Sequence, residues 1–321
     1  MTVRRQRVFL YLTGGLGNQL FQFAALNAVA YESEKHILSN FGHPRRNTEN
    51  FPEITSILAD KISFLPLKSI SPKLVEKVIG LNLRLMIGKS SFLKSCFRFF
   101  VHVLSNIAIS ILVKNFFRII FTVHAKPNRF FRNTILVGYF QVADYSQSLC
   151  KLTREIQSID DPALKDLLVK SKSNPLIIHI RRGDYLVEKD FGVLHENYYR
   201  EAFLRFSTSH DFKSCNSIWV FSDDIEYARR VIHLETDLEC EWISEIGGSA
   251  SLTLLAMSLG STFIIANSTF SWWAAQLSRD RLGVYYPGNW FKNIPVDERL
   301  FPHHWVAIDN GFEDDTNGKK P

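Results

Sequence analysis

From position 77 to position 143 the sequence has no acidic residue, although Asp and Glu number 32 in a chain of 321. The same stretch carries ten basic residues and ten of the 26 phenylalanines, so it holds +10 within a net charge of +6. The remainder is −4, which makes the protein a near-neutral chain with one basic, aromatic block rather than a uniformly basic one. A pI of about 9.1 ordinarily suggests nucleic acid. That reading needs Lys and Arg arrayed on a recognisable module or groove, and none is present, so nucleic acid is not an expected partner.

Cysteine is scarce too. Cys96, Cys150, Cys215 and Cys240 form no CxxC pair and no cluster with histidine, which excludes a disulfide framework and a zinc-binding pattern and fits reduced thiols in a reducing compartment. Long apolar runs are missing. The nearest, VHVLSNIAISILV over 101–113, includes His102, Ser105 and Asn106 and ends at Lys114, well short of the roughly 18 apolar residues a spanning helix requires. Near the N-terminus, VFLYL follows Arg4, Arg5 and Arg7 but stops after five residues at Thr13-Gly14-Gly15, too short for a signal-peptide core. The expected location is therefore cytoplasmic. No Gly-x-Ser-x-Gly elbow and no paired-histidine metal spacing occur, so hydrolase and zinc chemistry have little support.

What is present is an ordinary globular mixture, 46% apolar and 22% charged, long enough for two domains. In the second half, NPLIIHI (174–180), SIWVFS (217–222), TFIIA (262–266) and GVYYP (283–287) read as buried strands. They alternate with helical patterns at 196–206, from Ile225, at 249–259 and at 269–277. Strands alternating with helices imply parallel βαβ units and a Rossmann-like sheet. The first half opens in the same manner, with VFLYL (8–12), a glycine turn, and an all-round apolar helix from Leu20 to Glu34; NTILVGYFQ (133–141) is a later strand. Pro162 and the polar 170–175 put the linker between about 145 and 174. The domains expected are 1–150 and 151–312, with a disordered tail at 313–321.

In such sheets ligands bind at the loops leaving the carboxyl ends of strands, and four segments there carry polar residues. Gly14-Gly15-Leu16-Gly17-Asn18-Gln19 opens a helix whose free N–H groups suit an anion; it lacks the lysine of a P-loop and the last glycine of a dinucleotide fingerprint. His179-Ile180-Arg181-Arg182-Gly183-Asp184-Tyr185 follows a buried strand. Two adjacent arginines there call for an anion, and a guanidinium pairs bidentately with phosphate. The alternative is an Arg–Asp structural pair, and strand alternation lets one arginine face a ligand while the other pairs with Asp184. Asp223-Asp224 suits hydrogen bonds from a ribose or base; a metal reading stands beside it but lacks a third ligand. Asn267-Ser268-Thr269-Phe270-Ser271 is either a second phosphate-ready turn or a simple helix cap. Its sequon, Asn267-Ser268-Thr269, should lie inside the fold, and Trp272-Trp273 reads as core.

Taken together and in order, GGLGNQLFQFA, HIRRGDY, FSDD and ANSTFSWWAA resemble the α-1,2-fucosyltransferases of glycosyltransferase family 11. The resemblance implies a GT-B architecture of two Rossmann-like domains with a cleft between them, the first serving the acceptor and the second GDP-fucose. It implies inverting transfer of fucose from GDP-fucose to the 2-hydroxyl of a galactose, with no metal or other cofactor. It also implies that Arg181 binds the β-phosphate, that His179 lies by the guanine nucleotide and that Asp223 or Asp224 reads the base. Ser268, Thr269 and Ser271 would hold the pyrophosphate, with Gly15 and Gly17 also on the ligand side. Asn18 would reach the fucose or acceptor, and Asp184 is a candidate general base. Two other functions remain to be weighed: a transferase using another nucleotide sugar, and a nucleotide- or glycan-binding protein without chemistry. The basic segment 77–143 falls in the acceptor-side domain. It would suit a galactose-terminated acceptor on a lipid carrier and peripheral contact with the inner face of the cytoplasmic membrane; the alternative is a basic insertion with no partner.

Overall fold

The structure, a computed structural model, describes residues 7–12, 14–30, 34–39, 117–120, 133–149 and 161–313. The chain divides into two compact units, Met1–Leu149 and Cys150–Pro321.

The first unit is built on a parallel sheet. Strands β1 (Arg7–Leu12), β2 (Glu34–Ser39), β3 (Phe117–Ile120) and β4 (Asn133–Val137) lie in the order β2-β1-β4-β3. Val8, Leu10 and Leu12 are buried, and Phe9 on the opposite pleat is buried as well, as expected of a strand covered on both faces. Helix α1 (Leu16–Val29) is buried from Leu20 through Leu26, matching its lack of a polar face. It stops earlier than its sequence suggests. The Ala30 N–H closes on the Leu26 carbonyl, and from Glu32 to His36 the sequence offers no apolar side chain to continue the buried face; Glu34 instead opens β2. A single turn, α2 (Ala143–Ser146), follows β4.

The second unit contains β5 (Leu176–Ile180), β6 (Ser217–Ser222), β7 (Glu239–Ile243), β8 (Thr262–Ile264), β9 (Gly283–Pro287) and β10 (Val306–Ile308). All pairings are parallel, in the order β10-β9-β8-β5-β6-β7. The chain thus winds outward in one direction from β5 to β7 and in the other from β8 to β10, the doubly wound arrangement with its switch point between β5 and β8. Two Rossmann-like α/β sheets are therefore present, one in each unit. In the second unit, helix α3 (Pro162–Lys170) precedes β5, and α4 (Glu196–Ser207), α5 (Ile225–Val231), α6 (Ala250–Met257) and α7 (Thr269–Leu277) connect successive strands from β5 to β9.

Within the stretch expected to be linker, 162–170 is helical. Pro162 sits at the first helical position, where its missing N–H costs nothing, and the Asp161 carboxylate accepts from the N–H groups of Ala163 and Leu164. Strands β7 and β10 were not apparent in the sequence. Both are short edge strands, and β7 alternates Glu, Cys, Glu, Trp. The core centres on Trp219, Trp272, Trp273, Tyr198 and Phe206, all 2% exposed or less. Glu313 is held by its N–H to the Val193 carbonyl, whereas 314–321, the rest of the expected tail, lies outside the described residues.

Candidate functional site

At the switch point, the loop after β5 faces the loop after β8, and Tyr185 joins them: its hydroxyl donates to the Asn267 carbonyl at 2.9 Å. Burial holds the Tyr185 phenol well above its ordinary acidity range, so it stays a neutral donor. The Asn267 amide donates to the carbonyls of Phe191 (3.2 Å) and Gly192 (3.0 Å) and its side chain is buried, so this sequon is a structural stitch inside the fold.

β5 and β6 run in register with Ile180 opposite Ser222. The next two residues of each strand then meet in matched pairs. Arg181 Nη1 contacts Asp223 Oδ2 at 2.9 Å and Arg182 Nη1 contacts Asp224 Oδ2 at 3.1 Å. Asp184 also pairs with Arg181, its Oδ1 accepting from Nε at 3.0 Å and Nη2 at 2.7 Å. The Arg–Asp pairing read from the sequence is therefore present. Asp184 engages Arg181 itself, and Arg182 is held by Asp224 and by the Tyr227 ring 4.0 Å from its guanidinium carbon. Burial pulls Arg181 toward losing its proton, but Asp223 and Asp184 outweigh it and keep the group above its ordinary pKa. It is a fixed cation.

Both aspartates of the β6 loop are fully engaged. Asp223 Oδ1 accepts from the Arg182 N–H (2.9 Å) and Oδ2 from the Gly183 N–H (3.1 Å). Gly183 is required for this, because a Cβ there would lie 2.7 Å from Asp223 Oδ2. Asp224 caps α5 through the Tyr227 N–H at 3.0 Å. In this arrangement they shape the arginine loop, a role sequence reasoning did not give them. Gly183 was the legible signal, a glycine between an arginine pair and an aspartate at a strand's end.

His179, the fourth residue of β5, is 5% exposed, and its Nδ1 has no hydrogen-bond partner among the described residues. Burial, with Arg181 adding to it, pushes its pKa down to about 3, so the ring is neutral. Its nearest aromatic neighbour is Phe270, 6.1 Å between centroids, at the start of α7. Ser268 caps that helix, accepting from the Phe270 N–H at 3.3 Å. Thr269 is half-buried in the first turn. Ser271 departs from expectation: it is fully buried and donates to the Ser268 carbonyl at 3.2 Å, so its hydroxyl serves the turn and offers nothing to a ligand. Trp272 and Trp273 are core, as read.

In the first unit the glycine turn is ordered by amides. Gly14 has φ +80°, the Gln19 amide donates to the Gly14 carbonyl at 2.9 Å, and Gln141 donates to Asn18 Oδ1 at 2.9 Å. Gly15 is exposed at the start of α1, and a Cβ there would meet nothing within 4 Å. Gly17 is buried within the helix. His179, Arg181, Asp184, Asp223, Asp224, Ser268 and Thr269 thus share the carboxyl edge of the second sheet, while Gly15, Gly17 and Asn18 belong to the first unit.

Among the described residues, no group of three or more His, Cys, Asp or Glu side chains is gathered for a metal, and no helix is long and apolar enough to cross a membrane. A cavity of about 550 Å³, lined by Trp290, Phe301 and Trp305 beside β9 and β10, contains none of the motif residues. Most of the basic segment 77–143 lies outside the described residues, and with it the expected acceptor and membrane contacts.

Comparison with known proteins adds the following. The sequence model of glycosyl transferase family 11 matches residues 93–308. The chain is 28% identical over 317 residues to an O-antigen biosynthesis glycosyltransferase, WbnK, of Escherichia coli, covering 87% of this chain and 93% of that protein. It is 26% identical over 315 residues to an alpha-1,2-colitosyltransferase of Escherichia coli, covering 93% and 97%. A galactoside 2-alpha-L-fucosyltransferase of Caenorhabditis elegans is 27% identical over 186 residues, covering 53% of this chain and 51% of that protein.

Proposed function

The chain belongs to glycosyl transferase family 11, and we propose that it transfers fucose from GDP-fucose to the 2-hydroxyl of a galactose, with inversion and without a metal. Its acceptor is proposed to be a galactose-terminated glycan of the O-antigen type, the class in which the WbnK relative is named. The observation that carries this reading is Arg181, a cation fixed by Asp223 and Asp184 at the end of β5.

Breaking the bond between fucose and phosphate leaves negative charge on GDP and positive charge on the sugar. A cation already in place stabilises the leaving group as that charge develops, with no reorganisation at the moment of reaction. The β-phosphate is assigned to Arg181, and the neutral, buried His179 to the nucleotide beside it. The first turn of α7, with Ser268 and Thr269, is assigned to the pyrophosphate. Asn18 of the first unit is assigned to the fucose or the acceptor. Asp223 and Asp224 already accept from backbone N–H and guanidinium groups. This engagement supports loop-shaping over a metal or guanine role for both.

A second donor is favoured by one finding, the 26% identity to a colitosyltransferase across 93% of the chain. Colitose is fucose without its 3-hydroxyl, so the same diphosphate machinery would serve either sugar. The test is a donor panel of GDP-fucose, GDP-colitose, GDP-mannose and UDP-galactose with a galactose-terminated acceptor, in excess chelator. Transfer from GDP-fucose is expected. Transfer from GDP-colitose alone would move the assignment to the second sugar, and GDP binding with no product from any donor would make the protein a binder without chemistry.

A further inference from the structure

The second unit's loops bring three carboxylates, Asp184, Asp223 and Asp224, around two guanidinium groups, Arg181 and Arg182. The cluster is therefore −1 where the proposed ligand is a diphosphate, and anion binding there requires one carboxylate to withdraw. The two carboxylates on Arg181 are held very differently. Asp223 is tied by two backbone N–H groups as well as by Nη1, and its side chain is 26% exposed. Asp184 has a 52% exposed side chain, and Arg181 is the one described partner of its carboxylate. It also uses the guanidinium poorly, because a single oxygen, Oδ1, accepts from both Nε and Nη2. The fork of a guanidinium is matched best by two oxygens on two parallel N–H bonds, which a phosphate supplies.

We infer that Asp184 is an intramolecular competitor for Arg181, which yields the Nε–Nη2 face to the β-phosphate when nucleotide enters and reclaims it when the nucleoside diphosphate product leaves. The inference rests on the donor reading above. Displacing Asp184 weakens donor and product alike, leaves the bound leaving group's contact with Arg181 intact, and so eases product release, a common limit on turnover. Asp184 acts through Arg181 and is a positioning residue, not a group that touches the reacting atoms. The two carboxylates on one arginine then have opposite effects: removing the charge of Asp184 tightens GDP, whereas removing that of Asp223 loosens it by releasing the loop.

The test is isothermal titration of GDP and GMP into the unmodified protein, Asp184→Asn, Asp223→Asn and the exposed neighbour Asp190→Asn, with steady-state kinetics in parallel. Asp184→Asn should bind GDP on the order of five-fold more tightly, the scale of one exposed ion pair. Its KM for donor should fall, and kcat should hold or fall. GMP, which lacks the β-phosphate, should bind it no better, and Asp190→Asn should change neither ligand. Unchanged or weakened GDP binding by Asp184→Asn overturns the inference, as does equal tightening of GMP, which would mark a general charge effect. Failure of the unmodified protein to bind GDP would instead overturn the donor reading itself, and the competitor role with it.

Discussion

The two parallel sheets end in loops of contrasting electrical character. In the first unit, β1 runs into a glycine turn whose described contacts are amide to carbonyl and amide to amide: Gln19 to Gly14, Gln141 to Asn18. In the second, β5 runs into two arginines matched one to one with two aspartates from β6. Both follow a buried strand and both rely on glycine, but for different ends. Gly14 permits a left-handed turn and Gly15 leaves open space at a helix start, whereas Gly183 lets a carboxylate reach the backbone. The first arrangement provides room and the second provides fixed charge. On the proposed function, the fixed charge would serve a departing diphosphate and the room a sugar acceptor.

That contrast breaks most sharply at Arg181. Arg181→Ala should keep the fold and lower kcat by about 100- to 1,000-fold, the usual scale for losing one preorganised donor to a developing anion. Near-normal turnover would remove Arg181 from the chemistry. Asn18→Ala, by comparison, should leave GDP affinity unchanged in titration, because its contacts lie in the other unit.

The buried His179 makes the second unit sensitive to pH. His179 has its pKa lowered to about 3, below the ordinary unfolded value of about 6.5. Between those values the unfolded chain binds the extra proton, so stability is full above about pH 6.5 and falls as pH drops toward 3, by up to about 1.4 kcal/mol per unit. His179→Phe should flatten that part of the denaturation profile. An unchanged slope would show that His179 is not the buried titrating group.

The smallest effects separate the two glycines of the first turn. Gly14→Ala combines a φ of +80° with a Cβ 2.8 Å from Asn18 Nδ2 and should destabilise by about 1–2 kcal/mol. Gly15→Ser occupies open space at a helix cap and should alter stability by less than about 0.5 kcal/mol. Thermal unfolding of the pair measures both, and a full loss of activity in a stable Gly15→Ser would mark this space as ligand-facing.

Much of this was legible in the sequence. Apolar, β-branched runs gave β5, β6 and β9 within two residues, and the helix at 269–277 matched its pattern at both ends, because burial on both faces leaves a continuous signal. β7 and β10 escaped, since β7 interleaves two glutamates at the sheet edge and β10, Val306–Ile308, is too short to leave a periodic signal. At the site, an arginine paired with Asp184 was legible, but the Arg181–Asp223 and Arg182–Asp224 pairs were not. Which aspartate meets which arginine depends on the β5–β6 register, set by Ile180 lying opposite Ser222, and no local spacing encodes it. Ser271 looked available for a ligand because burial of a helix's first turn is a property of what packs on it.

Arg181 and its carboxylates are proposed to serve transfer of fucose from GDP-fucose to a galactose 2-hydroxyl. The most direct measurement is NMR of the product formed from GDP-fucose and lactose by the unmodified protein. An α-linked fucose on O2 of the galactose is expected, the anomer that inversion of the β-linked donor gives. A β linkage, attachment to another hydroxyl, or free fucose without transfer would contradict the account.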